Sequence, residues 1–131
     1  MEKRAYNPTP WLLGFGINHG VEVKNDSRTL YLSGQTSSAS DGSAMHEGDL
    51  PAQFRLAWAN LLDVLSEADM EPSNIVRLNI FTTDVDALMA AGGDLFGMIG
   101  ESGCQPSSTL VGVDRLYDPA IMVEIEATAV A

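Results

Sequence analysis

Basic side chains are scarce in this chain: seven Lys and Arg stand against 18 Asp and Glu, a formal net charge of -11 over 131 residues. A protein that grips a polyphosphate backbone needs clustered cations to displace condensed counterions, and Lys3, Arg4, Lys24, Arg28, Arg55, Arg77 and Arg115 are scattered. This argues against nucleic acid as a partner, and equally against an anionic membrane surface. No apolar run approaches the roughly 20 residues that span a bilayer. Cysteine is nearly absent. Cys104 stands alone, so no disulfide can form within the chain, and no N-terminal stretch reads as a secretory signal; a cytoplasmic protein is expected.

The reactive groups are few as well. His19 and His46 are the only imidazoles and lie in no H-E-x-x-H spacing, so neither a metal nor another cofactor is expected. Ser33, Ser107 and Ser108 lack a G-x-S-x-G turn and read as hydroxyls that satisfy the backbone. Phosphate-cradling glycine loops are absent. Cys104 has no cluster of cations in sequence to lower its pKa and reads as a small side chain.

What is present is a 45% hydrophobic chain of single-domain size, residues 1–131. Met1 to Gly16 is rich in Pro and Gly, with Trp11, Leu12, Leu13 and Phe15 as its sizeable apolar cluster, and reads as an arm over the body. His19–Val23 and Thr29–Gly34 are expected as a hairpin, followed by a polar loop over 36–48. Asp49 can cap a helix with Pro51 in its first turn, and Phe54, Ala57, Trp58, Leu61, Leu62 and Leu65 recur at helical spacing up to a stop at Pro72. The run 74–83 reads as a buried strand in the middle of a sheet. Asp84 caps a second helix with stripe residues Val85, Leu88, Met89, Leu95, Phe96 and Ile99, weakened at Gly92 and Gly93.

The chain closes on runs 108–113 and 121–130, expected as a second hairpin. Alternation puts Ile121, Val123, Ile125 and Ala127 on one face and Met122, Glu124, Glu126, Thr128 and Val130 on the other. Two glutamates among apolar neighbours mark either a wet sheet edge or a cleft that uses an acid. They lie about 7 Å apart along the strand, where mutual repulsion and burial raise a carboxyl pKa. The element order β-β-α-β-α-β-β gives an α+β fold with two helices on one face of a mixed sheet. The opposite sheet face needs a partner, and self-association is the expected answer.

Three ordered pieces carry a family resemblance: Leu30-Tyr31-Leu32-Ser33-Gly34-Gln35, Ile75-Val76-Arg77 through Phe81-Thr82-Thr83-Asp84, and Val123-Glu124-Ile125-Glu126-Ala127. Together they resemble the Rid family, also called YjgF or endoribonuclease L-PSP, over about residues 14–130. The resemblance implies a chorismate-mutase-like fold and a homotrimer with a central barrel and small-molecule clefts between subunits. It further implies hydrolysis of reactive enamines and imines to a keto acid and ammonia. Glu124 matches the glutamate that activates water, and Ser33 and Gly34 match the cleft-lining pair. Where those deaminases clamp the substrate carboxylate with an arginine in P-x-R-[ST], this chain has Pro106-Ser107-Ser108-Thr109. Ser108 cannot replace a charged planar fork. Ile17 aligns with a family tyrosine and Gly92 with an asparagine.

The expected ligand is therefore less anionic, bulkier or more apolar than 2-iminopropanoate. Glu124 is the expected catalytic group, Ser33, Gly34, Ser108, Thr109, Ile17 and Gly92 line the cleft, and His19 and Glu126 are accessory candidates. A C–N hydrolase and a non-catalytic metabolite-binding trimer are the two readings carried forward. Ribonuclease activity conflicts with the charge.

Overall fold

The computed structural model describes residues 1–131 and holds six strands: β1 (Glu2–Tyr6), β2 (Gly20–Lys24), β3 (Thr29–Thr36), β4 (Ile75–Thr82), β5 (Ser107–Gly112) and β6 (Val123–Val130). Three helices join them, α1 (Leu50–Glu67), α2 (Val85–Ala90) and α3 (Gly92–Glu101), with 3-10 turns at Trp11–Phe15 and Pro72–Asn74. β3, β6, β4 and β5 form one sheet in that order, with β4 and β5 parallel and the other neighbours antiparallel. The α+β class with a mixed sheet is as expected.

Burial follows the alternation along β6. Val123, Ile125, Ala127 and Ala129 are buried, while Glu124, Glu126 and Thr128 are half-exposed. The buried set meets Leu78 and Ile80 of β4 and the stripe of α1, in which Phe54, Ala57, Leu61 and Leu65 lose essentially all exposure. Leu88, Leu95 and Ile99 extend the same core from α2 and α3. Burying such side chains contributes roughly 1.5–3 kcal/mol each, which sets the sheet's inner face against the helices. Asp49 caps α1 by accepting from Ala52 N at 3.1 Å, and Asp84 caps α2 from Ala87 N at 3.0 Å.

Several expectations of pairing and extent are corrected. β5 and β6 are not a hairpin. The α2–α3 crossover brings β5 back parallel to β4, and the segment 113–122 then crosses to place β6 on the other side of β4. β2 and β3 are not a hairpin either: β2 pairs with β1 from Glu2↔Lys24 to Tyr6↔Gly20, while β3 pairs with β6. The N-terminal arm is thus structured, as a strand followed by a 3-10 turn. The second helix is two, broken at Ala91 beside Gly92 and Gly93, where backbone freedom is greatest. α1 ends at Ala68, before Pro72, and Arg28 Nη1 donates to Ala68 O at 3.0 Å.

The largest polar side chain that is wholly buried ties several elements together. Gln53 on α1 is 0% exposed; its Nε2 donates to Ala120 O at 2.7 Å and to Met45 O and His46 O at 3.3 Å, and its Oε1 accepts from Met122 N at 2.7 Å. Thr82 Oγ1 and Thr83 N donate in turn to Met122 O at 2.8 and 3.0 Å. The start of β6 is thereby clamped between α1 and the end of β4.

Gln53→Leu keeps the volume but strands a buried amide and its carbonyl partners, so it is expected to cost about 2–4 kcal/mol of stability. Urea unfolding followed by circular dichroism measures this; a loss under about 0.5 kcal/mol would show that the clamp is dispensable.

Candidate functional site

The polar half of the site is built on β6. This strand lies between β3 and β4, so Glu124 and Glu126 stand on the sheet face turned away from the helices and not at an edge. The register sets Glu124 between Thr36 and Phe81, and Glu126 in a row with Asn79 of β4 and Thr109 of β5. Asn79 Nδ2 donates to Glu126 Oε1 at 3.3 Å, and Arg77 Nη2 donates to Thr109 Oγ1 at 2.6 Å. Arg77 is engaged by hydroxyls and pairs with neither glutamate. The only ion pair, Lys24 with Glu22 at 3.9 Å, lies on β2.

Ser33 and Gly34 form a bulge in β3, where Leu32 to Gln35 spans the same length as Ala127 to Ile125 of β6. The bulge brings Gly34 directly under Glu124: a Cβ on Gly34 would lie 1.8 Å from Glu124 Oε1 and 2.8 Å from its Cγ. Glycine is required here for room. Burial of the Glu124 carboxyl raises its pKa above the ordinary carboxylate range, and the charge of Glu126 raises it further. A carboxyl so shifted gives up or takes a proton nearer neutrality than a free one.

The apolar half lies on the other side of the sheet. In the parallel β4–β5 pair Ser108 stands opposite buried Leu78, so its side chain shares the helix-facing side, while Thr109 shares the Glu126 side. Ser108 opens into a cavity of about 290 Å³ beneath the Trp11–Phe15 turn, walled by Trp11, Leu12, Phe15, Ile17, Phe96 and Leu110 among others. Ten of its 13 lining residues are hydrophobic and none is charged, so a carboxylate would enter without a counter-ion. Ile17 is held in place because the next residue, Asn18, bridges to Ser107, with Asn18 N donating to Pro106 O and Asn18 Nδ2 to Gln105 O, both at 2.9 Å. At the mouth Trp11 is 63% exposed.

Gly92 borders a second groove, shared with Phe15, Met89 and Phe96, along α3. His19 belongs to neither half. Its ring nitrogens stand 3.4 Å from Asn7 Oδ1 and Thr9 Oγ1 and its ring meets the Trp11 ring edge at 6.0 Å, so it braces the N-terminal turn. Cys104 is buried, and burial pushes its thiol up to about 12 despite Lys3, which leaves it inert. No group of three or more His, Cys, Asp or Glu is placed to hold a metal ion.

Of the expected residues, the structure therefore brings Glu124, Glu126, Ser33 and Gly34 together, and separately Ser108 with Ile17. One sheet separates the two sets. Sequence reasoning passed over Trp11, Phe15 and Phe96 as wall residues, although an apolar cluster inside a Pro- and Gly-rich arm was a usable sign of a cover over a cavity.

The family model described as endoribonuclease L-PSP matches residues 17–131, and the chain belongs to that family, the Rid family. Over 100% of both chains the structure is similar to YyfB of Yersinia pestis, a Rid protein of unknown function, at 33% identity and a TM-score of 0.89. Similarity extends to E. coli TdcF with bound serine, at 25% identity over 87% of each chain and a TM-score of 0.70. The E. coli YjgF gene product matches at 26% identity over 86% of each chain with a TM-score of 0.68. No curated protein matches the chain in sequence. No helix is long and apolar enough to cross a membrane.

Because Glu124 holds its proton more tightly folded than unfolded, its stabilising contribution is present at pH below the unfolded value and fades as pH rises through the raised folded value. Glu124→Gln should match the parent in stability at pH 3 and exceed it at pH 7, read by urea unfolding at both. Gly34→Ala should drive the carboxyl out of its niche at a cost of about 1 kcal/mol. A Glu124 pKa unmoved by that substitution in a carboxyl-carbon NMR titration would show that Gly34 does not make the niche.

Proposed function

We propose that this Rid-family chain hydrolyses the C–N bond of a small imine, or of an enamine through its imine tautomer, less anionic than 2-iminopropanoate. The observation that carries the reading is the uncharged apolar cavity that opens at Ser108, with no cation where the family's arginine would clamp a carboxylate. Glu124 supplies the acid–base group: its carboxylate takes a proton from water as the oxygen adds to the C=N carbon, and returns it to the nitrogen. The hydroxyl proton of the resulting carbinolamine then passes by way of Glu124 to the nitrogen as the C–N bond breaks, so that ammonia leaves and a carbonyl remains. Ser33 and Gly34 line the cleft beside the carboxyl, while Ile17, Ser108 and Thr109 contact the substrate or its water.

Within one chain the acid and the cavity lie on opposite sheet faces, so the reading requires a second copy to bring Glu124 to the cavity mouth. The homotrimer with intersubunit clefts that the family resemblance implies would do so. The open sheet face mixes Tyr31, Phe81 and Val111 with Arg77, Asn79, Thr109 and the two glutamates, a surface suited to a partly polar contact. A second reading, binding without turnover, is favoured by the separation of Glu124 from Ser108 in one chain; TdcF with bound serine shows a relative holding a small amino acid.

Ammonia release from imines generated in situ separates the two. Aromatic and branched neutral amino-acid imines should be hydrolysed faster than that of alanine. Glu124→Gln should lower the rate by about 10²–10⁴-fold with the sedimentation mass unchanged. No release above the spontaneous rate, with thermal stabilisation by the same compounds, would favour binding alone. Tight competitive binding of pyruvate would overturn the assigned substrate class.

A further inference from the structure

We infer that Gly92 and Phe96, one helical turn apart on α3, act as a pair that decides which apolar groups the cavity beneath Trp11–Phe15 accepts. The inference rests on the cavity being the ligand site. A Cβ at residue 92 would lie 2.8 Å from Phe96 Cε2, closer than real Cβ atoms come, and 3.1 Å from Cδ2, tighter than most such contacts. The Phe96 ring therefore occupies the space that any other residue at 92 would claim. On another side it is held edge to face by the fully buried Phe54, with centroids 6.2 Å apart and planes at 72°. With Phe54 packed against it on one side, the Phe96 ring pushed by a side chain at 92 would move toward the spaces it walls, since Phe96 lines both the cavity and the groove beside it.

The consequence is chemical as well as steric. Because glycine at 92 lets the ring lie where it does, the cavity wall on this side is the Phe96 ring, which offers neither donor nor acceptor, so a ligand's polar group is left unpaired there. A planar or branched apolar substituent packs against the ring without loss, and Ser108 remains the hydrogen-bonding wall residue for a neutral polar head. The class of ligand that fits is a neutral molecule with one compact aromatic or branched apolar substituent and one polar head.

Four full-length proteins test the pair: the parent, Gly92→Ala, Phe96→Ala and the double variant. Each is titrated calorimetrically with benzamide and naphthalene-2-carboxamide, neutral aromatic amides of two sizes that carry no hydrolysable imine. The parent should prefer benzamide, and Gly92→Ala should weaken it about 10-fold. Phe96→Ala should reverse the size preference, and the double variant should equal Phe96→Ala, because the conflict at 92 vanishes with the ring. Should Phe96→Ala unfold, Phe96→Leu keeps contact with Phe54 and serves in both backgrounds. An effect of Gly92→Ala that persists without the ring, no effect of Gly92→Ala alone, or no binding of either amide to any of the four would overturn the inference. The titrations involve no turnover, so a failed imine panel leaves them standing, and their failure leaves the hydrolytic reading to its own test.

Discussion

The buried carboxamide of Gln53 is the contact on which the rest of the molecule depends. It closes hydrogen bonds to Ala120 and Met122 immediately before β6 and to the loop that precedes α1, and every residue of β6 takes its face from that starting point. A shift of one residue would send Val123, Ile125 and Ala127 to solvent and Glu124 into the core. Hydrophobic burial alone opposes such a slip. The Gln53 clamp adds a directional constraint at the one place where the strand begins.

From that register follows the division of the candidate site. Period-two alternation sets Glu124 and Glu126 on the open face and Ser108 on the helix side of the same sheet, so no side-chain rearrangement can unite them within a chain. The open face in turn explains the titration of Glu124. A central strand gives the carboxyl neighbours on both sides, which removes water, and no cation within the chain offsets the loss. Arg77 sits on that face yet gives its hydrogens to Thr109 and Ser107, which keeps the acid's charge uncompensated.

The faces of β6, both helix caps and the core stripe of α1 were legible in the sequence because each is a local property: a period, or a polar residue one turn from a free amide. Strand partners were not. The runs at 108–113 and 121–130 are neighbours in sequence, but helical crossovers force parallel return, and nothing local distinguishes a turn from a segment that crosses a strand. Gly92 and Gly93 did mark the weak point at which the second helix breaks. Ser33-Gly34-Gln35 could be read as a family signature, while the need it meets, a bulge with no Cβ beneath Glu124, becomes visible only with the partner strand in place.

Two glycines then make the same exchange for opposite ends. Gly34 gives up a side chain so that a carboxyl can lie against the backbone, and Gly92 gives one up so that an aromatic ring can do so. The first exchange makes room for the Glu124 carboxyl; the second lets the Phe96 ring, a wall of the cavity, lie across α3. Taken with Ser108 in a cavity lined by no charged residue, they describe a chain whose carboxyl niche and apolar cavity are built separately. The features of the cavity reinforce one another, because a wall without a counter-ion is hospitable to apolar groups only if its remaining surface asks for no hydrogen bonds.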